Sequence, residues 1–457
     1  MISNRILYFL HSCVSASQIH QIQAQLILQS LHTNPTIANS FIKSCLALGL
    51  SKNAHFVLTY HPEPHVFFCN SVIRALCHSK IPDIPFSIYR HMHKNSILPN
   101  NYTFPFLFKS LADFHELNLG QMVHGHVIKL GHGDDIYVQN SLLSVYASCG
   151  RMGLCRQVFD EMRERDVVSW TVLITGYRSA RKYDDALITF EQMQYAGVEP
   201  NRVTMVNALA ACASFGAIEM GVWIHDFLRR KGWELDVILG TTLVDMYGKC
   251  GRIEEGLSVF RSMKEKNVYT WNAVINGLAL AESGKEAVWW FNRMVQEGFK
   301  PDDVTLVELL CACSHSGLVD TGRKIFTSLL EGRYGFLPAA KHYACMIDLL
   351  GRAGCLDDAF SLIRKMPFEP TKSMWGSLLT CCRTYGNLEL SEYAAKKLVE
   401  LEPENSAYYV VLSNLYAEMG RWDDVVKMRD LMKDRGLKKD LGSSSLEHEP
   451  RELFGNY

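Results

Sequence analysis

The side chains best suited to catalysis in this chain are scattered. There are 14 Cys and 17 His among 48 acidic residues. A zinc-activated water for hydrolytic deamination needs a His-x-Glu and a Pro-Cys-x-x-Cys converging on one ion. The only His-x-Glu is His61-Pro62-Glu63, and no Cys-x-x-Cys occurs, although Cys311/Cys313 and Cys381/Cys382 lie close in sequence. Neither a G-x-x-x-x-G-K-S/T phosphate loop nor a G-x-S-x-G elbow is present. The expectation is a protein that is not an enzyme, with no metal and no cofactor. Most cysteines read as small buried side chains in a reducing compartment.

Composition narrows the class further. The 457 residues carry 47 basic and 48 acidic side chains, a formal charge of −1, with 48% apolar and 21% charged residues. These values exclude a disordered or collagen-like chain. They argue against a polybasic nucleic-acid binder, but not against one that keeps its cations on one surface. No apolar run reaches the roughly 18 residues of a membrane helix, so no membrane partner is expected. The first acidic residue is Glu63, while Arg5, Lys43 and Lys52 precede it. Such acid-poor starts resemble organelle transit peptides; a helical repeat that happens to lack acids is the alternative.

The elements that must position any site are set by an internal repeat. One offset, 101 residues, recurs: Met92, Met193 and Met294; Pro99, Pro200 and Pro301; Tyr146 and Tyr247; Phe159 and Phe260; Trp170 and Trp271. It divides into segments of 35, 35 and 31 residues, seen at 167–201, 202–236 and 237–267. The same division covers 66–166 and, with a longer last part, 268–371; a short unit spans 35–65 and a degenerate long one precedes it within 1–34.

Each unit reads as a helix–turn–helix. In 167–201, Trp170, Leu173, Ile174 and Tyr177 mark one face of a first helix by their three- and four-residue steps. Asp184 and Asp185 suit the N-terminus of a second helix, whose apolar face is Ala186, Leu187, Phe190 and Met193. Gly197 and Pro200 end it. One hairpin cannot bury that face alone, but stacked hairpins can. The expected fold is therefore all-α, an α-solenoid (right-handed superhelix) of stacked helix-turn-helix repeats with a concave groove.

The segments VVSWTVLITGYRSA, FEQMQYAGVEPN, GQMVHGHVIKLGHGDD and HYACMIDLLGRAGCLDDA resemble the pentatricopeptide repeat family closely. The alternation of ordinary, long and short units over 35–371 resembles its plant PLS subclass. Two further units, 372–405 and 406–439, resemble the E motifs of that subclass. The tail 440–457 reads as truncated or divergent, because GSSSLE at 442–447 only faintly resembles GCSWIE. No cytidine deaminase domain is expected in this sequence.

The resemblance implies binding of single-stranded RNA, one nucleotide per repeat, read by the fifth and last residues of each unit. By alignment these are Asn70 with Asn100, Asn140 with Asp166, Thr171 with Asn201, Thr241 with Asn267, and Asn272 with Asp302. An amide both donates and accepts, which suits base edges. The family's code then reads pyrimidine–x–U–A–x–A–U over 66–302. Long units carry Pro105, Val206 and Val307 at the fifth position and give no letter; Asn39 with His65, and Ala344 with Thr371, read poorly. The competing reading makes the polar residues helix caps. It is strong for the last positions and weaker for Asn70, Asn140 and Asn272 inside helices.

What the resemblance implies overall is site recognition on organellar RNA for C-to-U editing. A deaminase-bearing pentatricopeptide protein and multiple organellar RNA editing factor proteins would be partners in trans. The mitochondrion is the expected compartment, with the chloroplast as alternative, and repeats starting near residue 5 leave little room for a presequence. A protein-binding scaffold without RNA specificity, and a role in RNA splicing or stability, remain alternatives.

Overall fold

Local signals fix each hairpin. Ahead of the helix Val167–Ser179, Asp166 is extended, and its carboxylate accepts from the backbone N–H of Val168 and Ser169 at 3.0 and 2.9 Å. The Ser169 hydroxyl accepts from the Asp166 N–H at 3.3 Å, completing a capping box. The second helix, Tyr183–Tyr195, carries Asp184 and Asp185 in its first turn, where the helix dipole favours negative charge. It stops at Gly197, whose φ of 70° strains any side-chain-bearing residue, and Val198 N–H closes the end onto the Met193 carbonyl at 3.2 Å. Trp170, Leu173, Ile174 and Tyr177, with Ala186, Leu187, Phe190 and Met193, are all buried.

The computed structural model describes residues 2–31, 34–50, 53, 65–77 and 83–437. His61 and Glu63, the segment 442–447 and the tail 440–457 lie outside them, as does the side chain of Asn39. Throughout the described residues the fold is all-α, built of helices that pack as sequential pairs. The 101-residue period carries into the packing: Trp170 meets Phe159 edge-on with ring centres 4.7 Å apart, and Trp271 meets Phe260 the same way at 4.8 Å.

The chain forms two compact units, Met1–Trp233 and Glu234–Tyr457. Within the first, Ile136–Ser148 packs between Thr103–Asp113 and Val167–Ser179, which in turn packs on Arg202–Phe215. Within the second, Val237–Lys249, Val268–Leu280, Asp303–His315, Ala340–Arg352 and Lys372–Thr384 pack one on the next. First helices thus form one layer in each unit, flanked by their second helices. The final hairpins pair Lys372–Thr384 with Leu388–Leu401 and Ser406–Glu418 with Trp422–Asp434. Cys45, Cys155 and Cys382 are buried, and burial pushes each thiol up to about 12, so they pack as inert small side chains. Among the described residues no helix is long and apolar enough to cross a membrane, and no group of three or more His, Cys, Asp or Glu is placed to hold a metal.

Candidate functional site

The polar residues singled out by sequence are brought together in pairs. Last-position residues sit where the chain enters the next first helix. Asp166, Asn201, Asn267 and Asp302 are N-caps with capping boxes. Asn100 differs: the cap position of Thr103–Asp113 is Tyr102, and the Asn100 side chain instead accepts from the Tyr102 N–H at 3.1 Å. Each fifth residue lies one turn into the first helix of its own unit, which places it against the entry of the following helix.

In the first compact unit, Asn70 Nδ2 donates to Asn100 Oδ1 at 2.9 Å, and Asn140 Nδ2 donates to Asp166 Oδ1 at 3.1 Å. In the second, Asn272 Nδ2 donates to Asp302 Oδ1 at 3.1 Å. The threonines connect indirectly. Thr171 Oγ1 lies 2.6 Å from Thr204 Oγ1, which donates to Asn201 Oδ1 at 3.0 Å. Thr241 Oγ1 lies 2.7 Å from Thr270 Oγ1, which donates to Asn267 Oδ1 at 3.0 Å.

The fifth residues do not stand open: Asn140, Thr171 and Asn272 are buried, Asn272 with 4% of its surface exposed. An amide among apolar neighbours gains by satisfying its groups locally. The cap reading and the pairing are both present at the last positions. Some polar atoms of these half-buried last residues lie outside those bonds. The second carboxylate oxygens of Asp166 and Asp302, and the amide nitrogens of Asn100, Asn201 and Asn267, take no part in the contacts just described. Burial alone would raise the Asp166 and Asp302 carboxyls. The bonds from Ser169, Asn140 and Val168, and from Thr305, Asn272 and Val304, outweigh it and hold both below the usual carboxylate range. Both are therefore ionised acceptors at neutral pH.

Sequence reasoning missed a second set. The second residue of eight successive units is a large apolar side chain left exposed: Phe67, Tyr102, Tyr137, Val168, Val203, Ile238, Tyr269 and Val304. Single exposed apolar residues need no explanation, but one at the same register of eight successive units does. Three residues before the fifth position, it shares that helical face. It gives a planar or branched surface beside each polar pair, against which a flat ring can stack. The signal was present: Val168 lies two residues from Trp170, on the far side of the helix from the buried stripe. At the long units the fifth positions, Pro105, Val206 and Val307, are half-buried and offer no hydrogen bond from their side chains.

Comparison with known proteins bears on the repeat itself. The PPR repeat family model matches residues 64–113, 165–214 and 266–315, each starting 101 residues after the last. A single-repeat PPR model matches 140–167, 241–268 and 342–369, and the E motif model matches 385–447. Among curated relatives from Arabidopsis thaliana, pentatricopeptide repeat-containing protein At5g56310 is 37% identical over 95% of this chain and 88% of its own length. The relative At2g22410, named as mitochondrial, is 32% identical over 98% of this chain and 86% of its own length. At1g08070, named as chloroplastic, is 41% identical over 78% of this chain and 48% of its own. Among solved structures, PPR10 in complex with an 18-nt psaJ RNA element matches with a TM-score of 0.72 at 15% identity. That match covers 92% of this chain and 64% of PPR10. The chain belongs to the pentatricopeptide repeat family, to its PLS-type members that carry an E motif.

Proposed function

We propose that this protein is a sequence-specific binder of single-stranded RNA in an organelle, selecting sites for C-to-U editing. One observation carries the reading: a hydrogen-bonded polar pair beside an exposed apolar side chain, repeated at one register. Unpaired bases offer a flat face for stacking and a polar edge for hydrogen bonding. Uracil presents an N3–H donor between two carbonyl acceptors. The ionised second oxygen of Asp166 or Asp302 accepts from N3–H, and the remaining amide hydrogen of Asn140 or Asn272 donates to a carbonyl. Where the last residue is Asn, its amide nitrogen donates instead, which suits the N3 of cytosine or N1 of adenine. RNA binding by PPR10, and organellar naming of relatives, support the wider reading. The E motif supports editing with the deaminase supplied in trans.

Two experiments test this. Sequencing of RNA crosslinked to the protein in its organelle should recover a site compatible with pyrimidine–x–U–A–x–A–U. Gel shifts on oligonucleotides carrying that pattern should show preference for it, and Asn272→Thr should move the preference at that unit from pyrimidine toward purine. Equal binding of all oligonucleotides, or none, would favour a protein-binding scaffold. Loss of the protein with every organellar cytidine still edited would leave splicing or stability as its role.

A further inference from the structure

A fully buried hydroxyl accompanies each of the five polar pairs described above. It belongs to the third residue of the unit that follows: Thr103, Ser169, Thr204, Thr270 and Thr305. Thr305 Oγ1 lies 2.7 Å from Asn272 Oδ1 and 2.8 Å from Asp302 Oδ1. Ser169 Oγ lies 2.6 Å from Asn140 Oδ1 and 3.0 Å from Asp166 Oδ1. Thr103 Oγ1 reaches Asn70 Oδ1 at 2.7 Å and Asn100 Oδ1 at 3.2 Å.

The hydroxyl closes a capping box in four of these entries, but an Asp can cap a first helix without it. Asp135 caps Ile136–Ser148 through the Tyr137 and Val138 N–H groups at 3.0 and 3.1 Å, with Val138 in third position. Asp236 caps Val237–Lys249 through the Leu239 N–H at 2.8 Å, with Leu239 in third position. Both caps end long units whose fifth residues are Pro105 and Val206. Over the seven first-helix entries from residue 101 to residue 303, the hydroxyl is found where the preceding fifth residue is polar, while an Asp cap is found both with and without it.

We propose that the third-residue hydroxyl of the following unit is a positioning residue for base selection, a reading that rests on RNA recognition by the polar pairs. An Asp carboxylate only accepts, so it draws the amide nitrogen of the preceding Asn toward itself. The amide oxygen then points at the hydroxyl, which donates to it. With both ends of the amide held, its remaining N–H and the second Asp oxygen form a fixed donor–acceptor edge. Without the hydroxyl, the buried amide oxygen loses its partner and the amide is free to turn, blurring that edge.

The test uses the full-length chain and equilibrium binding to oligonucleotides with each of four nucleotides at the position matched by unit 268–302. A second series varies the position matched by 136–166 as internal control. Thr305→Val keeps the shape and removes the hydroxyl; Thr305→Ser restores it. The expected result is roughly a tenfold loss of uracil discrimination at its own position in Thr305→Val. The control position should move less than about twofold, and Thr305→Ser should discriminate as the parent does. Unchanged discrimination in Thr305→Val, or an equal loss on every RNA, overturns the proposal. A parent protein with no base preference anywhere is a separate result that overturns the proposed function with it. Where Thr305→Val melts early, Ser169→Ala makes the same test in the other compact unit. Collapse of both folds would assign the hydroxyls to stability and overturn the proposal.

Discussion

A base-reading side chain must be both rigid and unsatisfied, and those demands conflict for a short amide in an apolar helix. On the proposed reading the pairs resolve the conflict by sharing: one valence of each polar group holds its partner, and the other would serve a base. Stacking is separate from this. Tyr137 is 73% exposed, so Tyr137→Ala should leave thermal stability nearly unchanged. Loss of one stacking surface, worth ~1–3 kcal/mol per base, should weaken RNA affinity roughly tenfold to a hundredfold without changing which base is preferred. Titration of the oligonucleotide at fixed salt checks both statements. Glu308 carries a different kind of residue-scale consequence. Its Oε2 is buried with no hydrogen-bond partner, and burial, reinforced by Asp302, Asp245 and Cys311 and opposed by Lys249, pushes its carboxyl up to about 8. An unfolded Glu titrates near ~4.3, so between those values the folded chain keeps a proton that the unfolded chain has lost. Stability from this group is full below the unfolded value and is lost as pH rises toward 8. Asp302 and Asp166, held low, act with the opposite sign: their contribution is present above the ordinary carboxylate range and is lost on acidification. Glu308→Gln should flatten the fall in melting temperature between pH 5 and 8 and melt above the parent at pH 8.5.

At the scale of helices, first-helix layers depend on close approach. A Cβ on Gly248 would meet the Gly277 Cα at 2.9 Å, a backbone contact that no rotamer relieves. Gly248→Ala must therefore push Val237–Lys249 away from Val268–Leu280, at a cost of ~1–3 kcal/mol in chemical denaturation. By contrast, Ala at Gly153, in the first turn of the helix Met152–Glu161 and with nothing within 4 Å of its Cβ, should be nearly silent in the same measurement. Much at this scale was legible in sequence. The helices Val167–Ser179, Arg202–Phe215, Val237–Lys249 and Val268–Leu280 start at the residues where the repeat units start, because each follows an Asp or Asn that caps it. Buried faces followed from three- and four-residue steps through Trp170 and Phe190. The exposed second residues were not legible in the same way. Val168 or Tyr269 next to a cap looks like the first residue of a core stripe, and only its phase against Trp170 or Trp271 separates the two. The buried state of Asn140 and Asn272 was also hidden. Sequence gives the register of a polar residue, while its partner lies in another helix 26 or 30 residues away. The Ser169 and Thr305 hydroxyls escaped for that reason too, since each looks like an ordinary capping-box residue until the third helix-entry contact is in view.

For the whole molecule, charge and repetition together set how RNA would be held. Repeat stacks gain stability from neighbours, so each hairpin can present the same small site without a separate core. The chain carries 47 basic against 48 acidic side chains. Several cations are engaged along their own helices: Arg156 with Asp160, Lys249 with Asp245, Arg293 with Glu297 and Arg352 with Asp348, at 2.8 to 3.0 Å. Partly exposed pairs of this kind add little stability, but they lower the positive field available to phosphates. Affinity must then come from stacking and edge contacts summed over the repeats, with few phosphates neutralised. For single strands the slope of log K against log salt is about −0.7 per neutralised phosphate. A binder of this design should show a slope shallower than about −2 between 50 and 300 mM salt on an RNA of matching sequence. A mismatched RNA should bind more weakly at every salt concentration, with nearly the same slope, because the lost contacts are uncharged. A steep slope shared by matched and mismatched RNA would mean that binding is driven by phosphate charge, and the polar pairs would then have no part in selecting bases.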